Sequence, residues 1–249
     1  MKVLGIIPSR YASTRFPGKP LIDLGGKYMI QRVWEQANKA YTFTKVIVAT
    51  DHSGIYDAVK AFGGEVIMTE DRHSNGTERC FEAYQQLGEE YDYIVNIQGD
   101  EPFIDPKQID TLGKVLDGEV ELATLVKKVQ DQEVLFNPNV MKVVFNKDRD
   151  ALYFSRQCIP HIRGKDPDSW LIHHTYYKHI GIYAYRADIL SEIVKIPLSL
   201  LEKAESLEQL RWLENGYKIK VAETDIETFG IDTPEDMDKA IDHLSETKH

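Results

Sequence analysis

Arg10, Arg15 and Lys19 crowd one short stretch of the opening segment MKVLGIIPSRYASTRFPGKP, which holds no acidic residue before Asp23. In a chain of formal net charge −10 they reverse the sign of the local field. Val3, Leu4, Ile6 and Ile7 read as a short buried strand, and Pro8, Pro17 and Gly18 break any helix before the apolar pattern resumes near Met29. The cations therefore fall on a loop at the C-terminal end of a strand, where open α/β sheets bind ligands. A polyanion, above all a nucleoside triphosphate, is the expected occupant. Pro20 follows Lys19 where a Walker A loop would carry its metal-binding Ser or Thr, so ATPase-type phosphate-loop chemistry is not expected.

A carboxylate able to serve that ligand follows the apolar run YIVNI. In Gln98-Gly99-Asp100-Glu101, Asp100 should emerge at a strand's carboxyl edge, the rim already assigned to the cations. One carboxylate there can hold Mg²⁺, which completes its octahedron with water and phosphate oxygens. Helix capping is the competing role, but Asp105, directly before Pro106, is the better cap for DPKQID. Asp232 in GIDTPEDM is the second candidate metal ligand, with Asp225 as its competitor; Asp232 or Thr233 can equally cap a helix opening at Pro234. Two such carboxylates converging on one rim would bracket a triphosphate-bound metal.

RHSNGTER (72–79) reads as a polar loop entering a helix, with Gly76 for backbone freedom and Thr77 as the cap, and it could meet a base or ribose through backbone groups. In HHTYYKHIGIY, His173, His174 and His179 match no zinc spacing, and a polar ligand pocket suits them better. Arg156, ending ALYFSR, and Arg163 offer guanidinium forks for a carboxylate, or else plain salt bridges.

The elements that must position these groups alternate. Helix-like 29–40, strand 45–50, strand 63–68, helix-like 78–87 and a strand within 91–102 predict a parallel sheet with crossover helices, a Rossmann-like α/β layer. Extended segments at 121–129, 140–146, 151–156 and 178–186, with an irregular stretch at 157–176, predict a β-rich excursion over about 121–186. Helices at 206–215 and 234–244 and a strand at 218–222 return the chain to the sheet. With 249 residues and no repeat, one domain is expected over 1–249.

A hydrophobic content of 42 % and an aromatic content of 10 % fit an ordinary globular protein. The acidic balance argues against nucleic-acid binding, which needs a broad basic face. No stretch approaches the roughly 20 apolar residues of a membrane span, and the opening apolar run, broken by Pro8 and Arg10, is too short for a signal peptide. Cys80 and Cys158 lack metal-ligand spacing and read as idle thiols in a reducing cytoplasm.

Taken in order, IIPSRYASTRFPGKPL, ATD, HSNGTER, NIQGDEP, YFSR, HIGIYAYR, SLEQLRWLENG and GIDTPED resemble the 3-deoxy-manno-octulosonate cytidylyltransferases, or CMP-Kdo synthetases, over almost the whole chain. The resemblance implies a Rossmann-like nucleotidyltransferase fold, a homodimer, and transfer of CMP from CTP to the acid sugar Kdo for lipopolysaccharide assembly. It implies Arg10, Arg15 and Lys19 as triphosphate-binding cations, Asn75, Gly76, Thr77 and Gln98 as nucleotide or sugar contacts, and Asp100 and Asp232 as Mg²⁺ ligands. For the sugar it implies Arg156, Arg163, His179, Tyr183, Glu208 and Gln209. Asn75 departs from the family, which usually has Ser there, and a shifted hydrogen bond with retained activity is expected. The implied chemistry is in-line attack of the anomeric hydroxyl on the α-phosphorus, Arg15 and Lys19 stabilising the leaving pyrophosphate and no histidine acting as base. CMP-sialate synthesis, an 8-amino analogue of Kdo and a silent nucleotide-binding module are the alternatives; the glycine-poor opening loop disfavours a sugar-1-phosphate uridylyltransferase.

Overall fold

The computed structural model describes residues 1–12, 16–228, 230–231 and 233–246. The chain divides into two compact units, Met1–Asp110 with Glu227–His249, and Thr111–Ile226.

The first unit opens on β1 (Val3–Ser9), followed by α1 (Met29–Ala37), β2 (Lys45–Thr50), α2 (Ser53–Ala61), β3 (Glu65–Met68), α3 (Gly76–Leu87), β4 (Tyr93–Asn96) and α4 (Pro106–Gly113). Its strands lie in the order β3-β2-β1-β4, all parallel, with Ile6 facing Ile47 on one side and Asn96 on the other. β1 is flanked on both edges, and Leu4, Ile6 and Ile7 are fully buried, which explains its nearly unbroken apolar run. α1 buries Met29, Ile30, Val33 and Ala37, one stripe at helical spacing. Asp105 caps α4, its carboxylate accepting from the Lys107 amide at 2.8 Å, as its place before Pro106 predicts.

The second unit carries β5 (Leu122–Lys128), α5 (Gln132–Phe136), β6 (Lys142–Phe145), β7 (Ala151–Ser155), α6 (Trp170–His173), β8 (Tyr177–Arg186), α7 (Ala187–Ile193), α8 (Leu200–Glu205), α9 (Gln209–Glu214) and β9 (Ile219–Glu223). β5 pairs antiparallel with β8 and parallel with β9, while β6 pairs with β7 and touches β8. The β-rich excursion expected over 121–186 falls within this unit. α5 to α8 carry no prediction of their own: at four to seven residues they are too short to display a helical period.

Two buried cations, Arg211 and Lys142, help to hold the second unit. Arg211 grips Glu202 through two bonds of 2.7 and 2.6 Å, and Glu202 also completes a capping box with Ser199 at the start of α8. Lys142 is fully buried, and its ammonium donates to the carbonyls of Asn137, Val140 and Arg156 at 2.8, 2.5 and 2.7 Å. An ammonium has three N–H donors, so these bonds satisfy it completely. Burial pulls its pKa below the ordinary lysine value. In the first unit α10 (Pro234–Glu246) closes the chain, with the Thr233 amide donating to Asp236 at 3.0 Å in the cap position.

Candidate active site

β1 ends at Ser9 and the basic loop leaves it at exposed Arg10. It returns at Gly18, whose φ of 71° is the left-handed conformation that glycine adopts without strain. Lys19 then opens a short 3-10 turn, Lys19–Leu21, with Pro20 buried beneath it. The Lys19 ammonium lies 2.8 Å from Asp100 Oδ2, so a cation from the loop after β1 and a carboxylate from the loop after β4 meet. The lysine side chain is 13 % exposed and the aspartate 32 %, a partly open pair that an anionic ligand can enter.

The approach of the two loops depends on Gly99. A Cβ on that residue would stand 2.8 Å from the carbonyl oxygen of Pro8, so only glycine lets the Gln98–Asp100 turn lie against β1. The amide of Ile231 donates to the Asp100 carbonyl at 2.9 Å and ties the chain preceding α10 to the same turn. Asp232, one residue on, lies outside the described residues, as does Arg15.

α3 supplies the third wall. Its cap is Asn75, whose Oδ1 accepts from the Glu78 amide at 2.8 Å, and this corrects the expected assignment: Thr77 is already inside the first turn and buried. A Cβ on Gly76 would come within 3.2 Å of Pro8 Cγ and 3.1 Å of Asn96 Nδ2, so the turn presses directly on the ends of β1 and β4. Behind it, Arg79 is held by Asp51 at 2.6 Å and by Thr69, a clasp that accounts for the aspartate of the ATD motif. The open cleft between the walls has a volume of about 250 Å³ and is lined by Arg10, Lys19, Asn75, Gly76, Gln98 and Asp100 among others. Arg10, Lys19 and the Asp51-paired Arg79, a helix N-terminus and the Asp100 carboxylate make a pocket for a phosphorylated ligand and its counterion. Of the expected nucleotide contacts, the structure gathers all but Arg15, which it does not describe, and Thr77, which faces the core. Arg79 and Asp51 are additions the sequence reading did not assign.

Of the expected sugar residues, Gln98 belongs to the first unit and lines the cavity just described, and the other six lie in the second unit. β8 bulges against β5: Leu125 pairs with Ile180 and Thr124 with Tyr183, leaving Gly181 and Ile182 out of register. His179 and Tyr183 are thereby drawn together, ring centroids 5.2 Å apart. Thr124 Oγ1 donates to the Ile182 carbonyl at 2.7 Å, so it accepts from His179 Nε2 at 2.9 Å, which sets the imidazole tautomer. His179 Nδ1 and Tyr183 Oη stay buried without a hydrogen-bond partner of good geometry. Burial lowers the His179 pKa to about 3. Burial, with Tyr185 and Glu208 nearby, pushes the Tyr183 phenol well above its ordinary value.

Glu208 is half-buried and Gln209, the first residue of α9, is buried. Arg156 donates to the carbonyls of Glu205, Pro138 and Ser206 at 2.7, 3.3 and 3.4 Å. Three of the five guanidinium N–H groups are thus committed to backbone, and two are left for a ligand. Arg163 is exposed on a turn. Cys80 is buried, and burial pushes the Cys158 thiol up, so neither is poised as a nucleophile.

A parallel α/β unit whose strand ends carry a cationic loop, a helix N-terminus and a carboxylate has the layout of a nucleotidyltransferase. The family model described as cytidylyltransferase matches residues 4–219, and the chain belongs to that family. It is 61 % identical over 250 residues to the 3-deoxy-manno-octulosonate cytidylyltransferase of Parabacteroides distasonis, covering 98 % of this chain and 99 % of that one. To the enzyme of the same name from Cytophaga hutchinsonii it is 57 % identical over 238 residues, covering 95 % of each. Among solved structures, a CMP:2-keto-3-deoxy-manno-octonic acid synthetase complexed with CTP superposes with a TM-score of 0.91 at 41 % identity, over 99 % of this chain and all of that one.

Proposed function

We propose that this protein transfers CMP from CTP to 3-deoxy-manno-octulosonate, releasing pyrophosphate. The observation that carries the reading is the full-length correspondence with the CTP-complexed synthetase, supported by a cavity in which Lys19 and Asp100 stand 2.8 Å apart. The sugar's anomeric hydroxyl attacks the α-phosphorus in line. The new O–P bond forms as the bond from the α-phosphorus to the bridging oxygen breaks, pyrophosphate departs and the hydroxyl proton is lost to solvent.

Arg10 and Lys19 bind the triphosphate, and Lys19 offsets charge growing on the leaving group, a role worth on the order of 3 kcal/mol for a preorganised donor. The Asn75–Gly76 turn and Gln98 hold the nucleoside. The remaining donors of Arg156, together with Arg163, meet the sugar's carboxylate, and the buried polar atoms of His179 and Tyr183 meet its hydroxyls alongside Glu208 and Gln209. At a pKa of about 3, His179 is too weak a base to deprotonate a hydroxyl, so it binds and does not activate.

Mg²⁺ is the cofactor in this reading. The Asp100 carboxylate is partly exposed at the cavity, and Mg²⁺ is an ion that takes one or two carboxylates and fills its shell with water and phosphate oxygens. Asp100 would hold it, with Asp232 as the second ligand. When bound, the ion supplies charge neutralisation and orientation of the triphosphate.

The protein acts as a homodimer in this proposal, a reading supported by the exposed Leu152, Ile172 and Leu200 of the second unit. No helix among the described residues is long and apolar enough to cross a membrane. A cytoplasmic setting suits CTP as substrate and the free thiols, and the product would feed lipopolysaccharide assembly.

The test is pyrophosphate release from CTP and Mg²⁺ with Kdo, with sialic acid or with no sugar. Release with Kdo alone is expected. Release with sialic acid instead, or CTP binding with no turnover on either sugar, would overturn the substrate assignment.

A further inference from the structure

Tyr11 has no part in the chemistry above, yet the basic loop closes on it. Its carbonyl accepts from the Gly18 amide at 3.0 Å, joining the residue after Arg10 to the residue before Lys19. Its ring lies over Gly18 so closely that a Cβ there would stand 3.3 Å from the ring carbon Cε2. The ring also stacks on the imidazole of His52, centroids 4.0 Å apart and planes 13° from parallel. His52 is fixed in turn: its Nδ1 accepts from the Gly54 amide at 3.1 Å as the cap of α2, and its own amide donates to Thr50 Oγ1 at 3.3 Å.

We propose that Tyr11 is a positioning residue for the triphosphate: held between Gly18 and His52, it fixes the loop so that Arg10 and Lys19 face the phosphates before the nucleotide arrives. The inference rests on CTP being the ligand of this pocket. The free energy of the stack goes into preorganisation, because a loop already closed loses less freedom on binding. Arg10 immediately precedes Tyr11, and Lys19 immediately follows Gly18. Both cations move with the clasp, whereas the Asn75–Gly76 turn on α3 does not depend on it.

That separation defines the test: titration of CTP and of CMP, without sugar, into the full chain and its variants. Tyr11→Ala is expected to raise the CTP Kd by about 3- to 10-fold, the range set by losing one aromatic pair, and to leave CMP within about twofold. Tyr11→Phe, which keeps the ring, should bind CTP like the parent. His52→Asn keeps a cap acceptor but removes the stack, and it should reproduce the Tyr11→Ala pattern; it carries the test if Tyr11→Ala fails to fold. An unchanged CTP affinity in both stack-deficient variants, or an equal loss for CTP and CMP, overturns the positioning role. Failure of the unaltered protein to bind CTP overturns the nucleotide reading itself.

Discussion

His179 and Tyr183 stand four residues apart on one strand, yet their rings are separated by only 5.2 Å. In a regular strand that spacing spans about 13 Å, at roughly 3.3 Å per residue. At the bulge of Gly181 and Ile182 the strand departs from that regular geometry, and both residues lie beside Thr124. The same enclosure that buries both side chains also makes the imidazole a liability in acid.

His179 therefore sets a pH dependence of stability. Its folded pKa of about 3 lies below the unfolded value of about 6.5. Between those values the unfolded chain binds the extra proton, so stability is full above pH 6.5 and falls as pH drops towards 3. By pH 4.5 the loss from this group is about 2–3 kcal/mol. Urea unfolding at pH 7 and 4.5 should show that drop, and His179→Gln should flatten it. An identical drop in the variant would assign the acid sensitivity elsewhere.

Asp100→Ala should lower turnover by about 10²-fold or more while leaving the unfolding midpoint close to the parent's. Pyrophosphate release and thermal melting measure the two sides of that statement. Full activity in the variant would remove Asp100 from the mechanism.

For Lys19 the expected effect is on kcat. Lys19→Ala should slow pyrophosphate release by about 10²-fold even at saturating sugar, because the charge it offsets appears on the leaving group. A rise in the sugar KM with kcat intact would contradict that role.

Lys142 is expected to be a stability residue. Lys142→Met fills the same space but takes the ammonium donor from the Val140 and Arg156 carbonyls, the Asn137 carbonyl keeping the Val140 amide, a loss of about 2 kcal/mol or more. Denaturant titration checks it, and a midpoint within error of the parent's would mean that the carbonyls find other donors.

The sequence makes part of this site readable for definite reasons. The basic loop stands out because Pro8, Pro17 and Gly18 punctuate it, and Asp100 because it follows an apolar alternation. Gly181 inside the strand pattern HIGIYAYR is a recognisable bulge signal. The cap of α3 was also legible through a different spacing: Asn75 stands three residues before Glu78, an acid at the third helical position, and that spacing outranks the bare preference for Thr77. The Arg79–Asp51 pair and the backbone clasp of Arg156 join elements distant in sequence, and no local pattern announces them. The short helices of the second unit stay hidden because tertiary packing, and not periodicity, stabilises them.

The contact between Lys19 and Asp100 spans 81 positions along the chain. It exists only once β1 has paired with β4 and Gly99 has settled against the Pro8 carbonyl. Parallel pairing across so long a separation is intrinsically slow, since the loop-closure entropy is lost before the contact can compensate for it. The site is thus complete only after that long-range pairing has formed. During refolding from denaturant, helical signal should return ahead of catalytic competence, and the interval between them is the lifetime of a chain that is compact and inert.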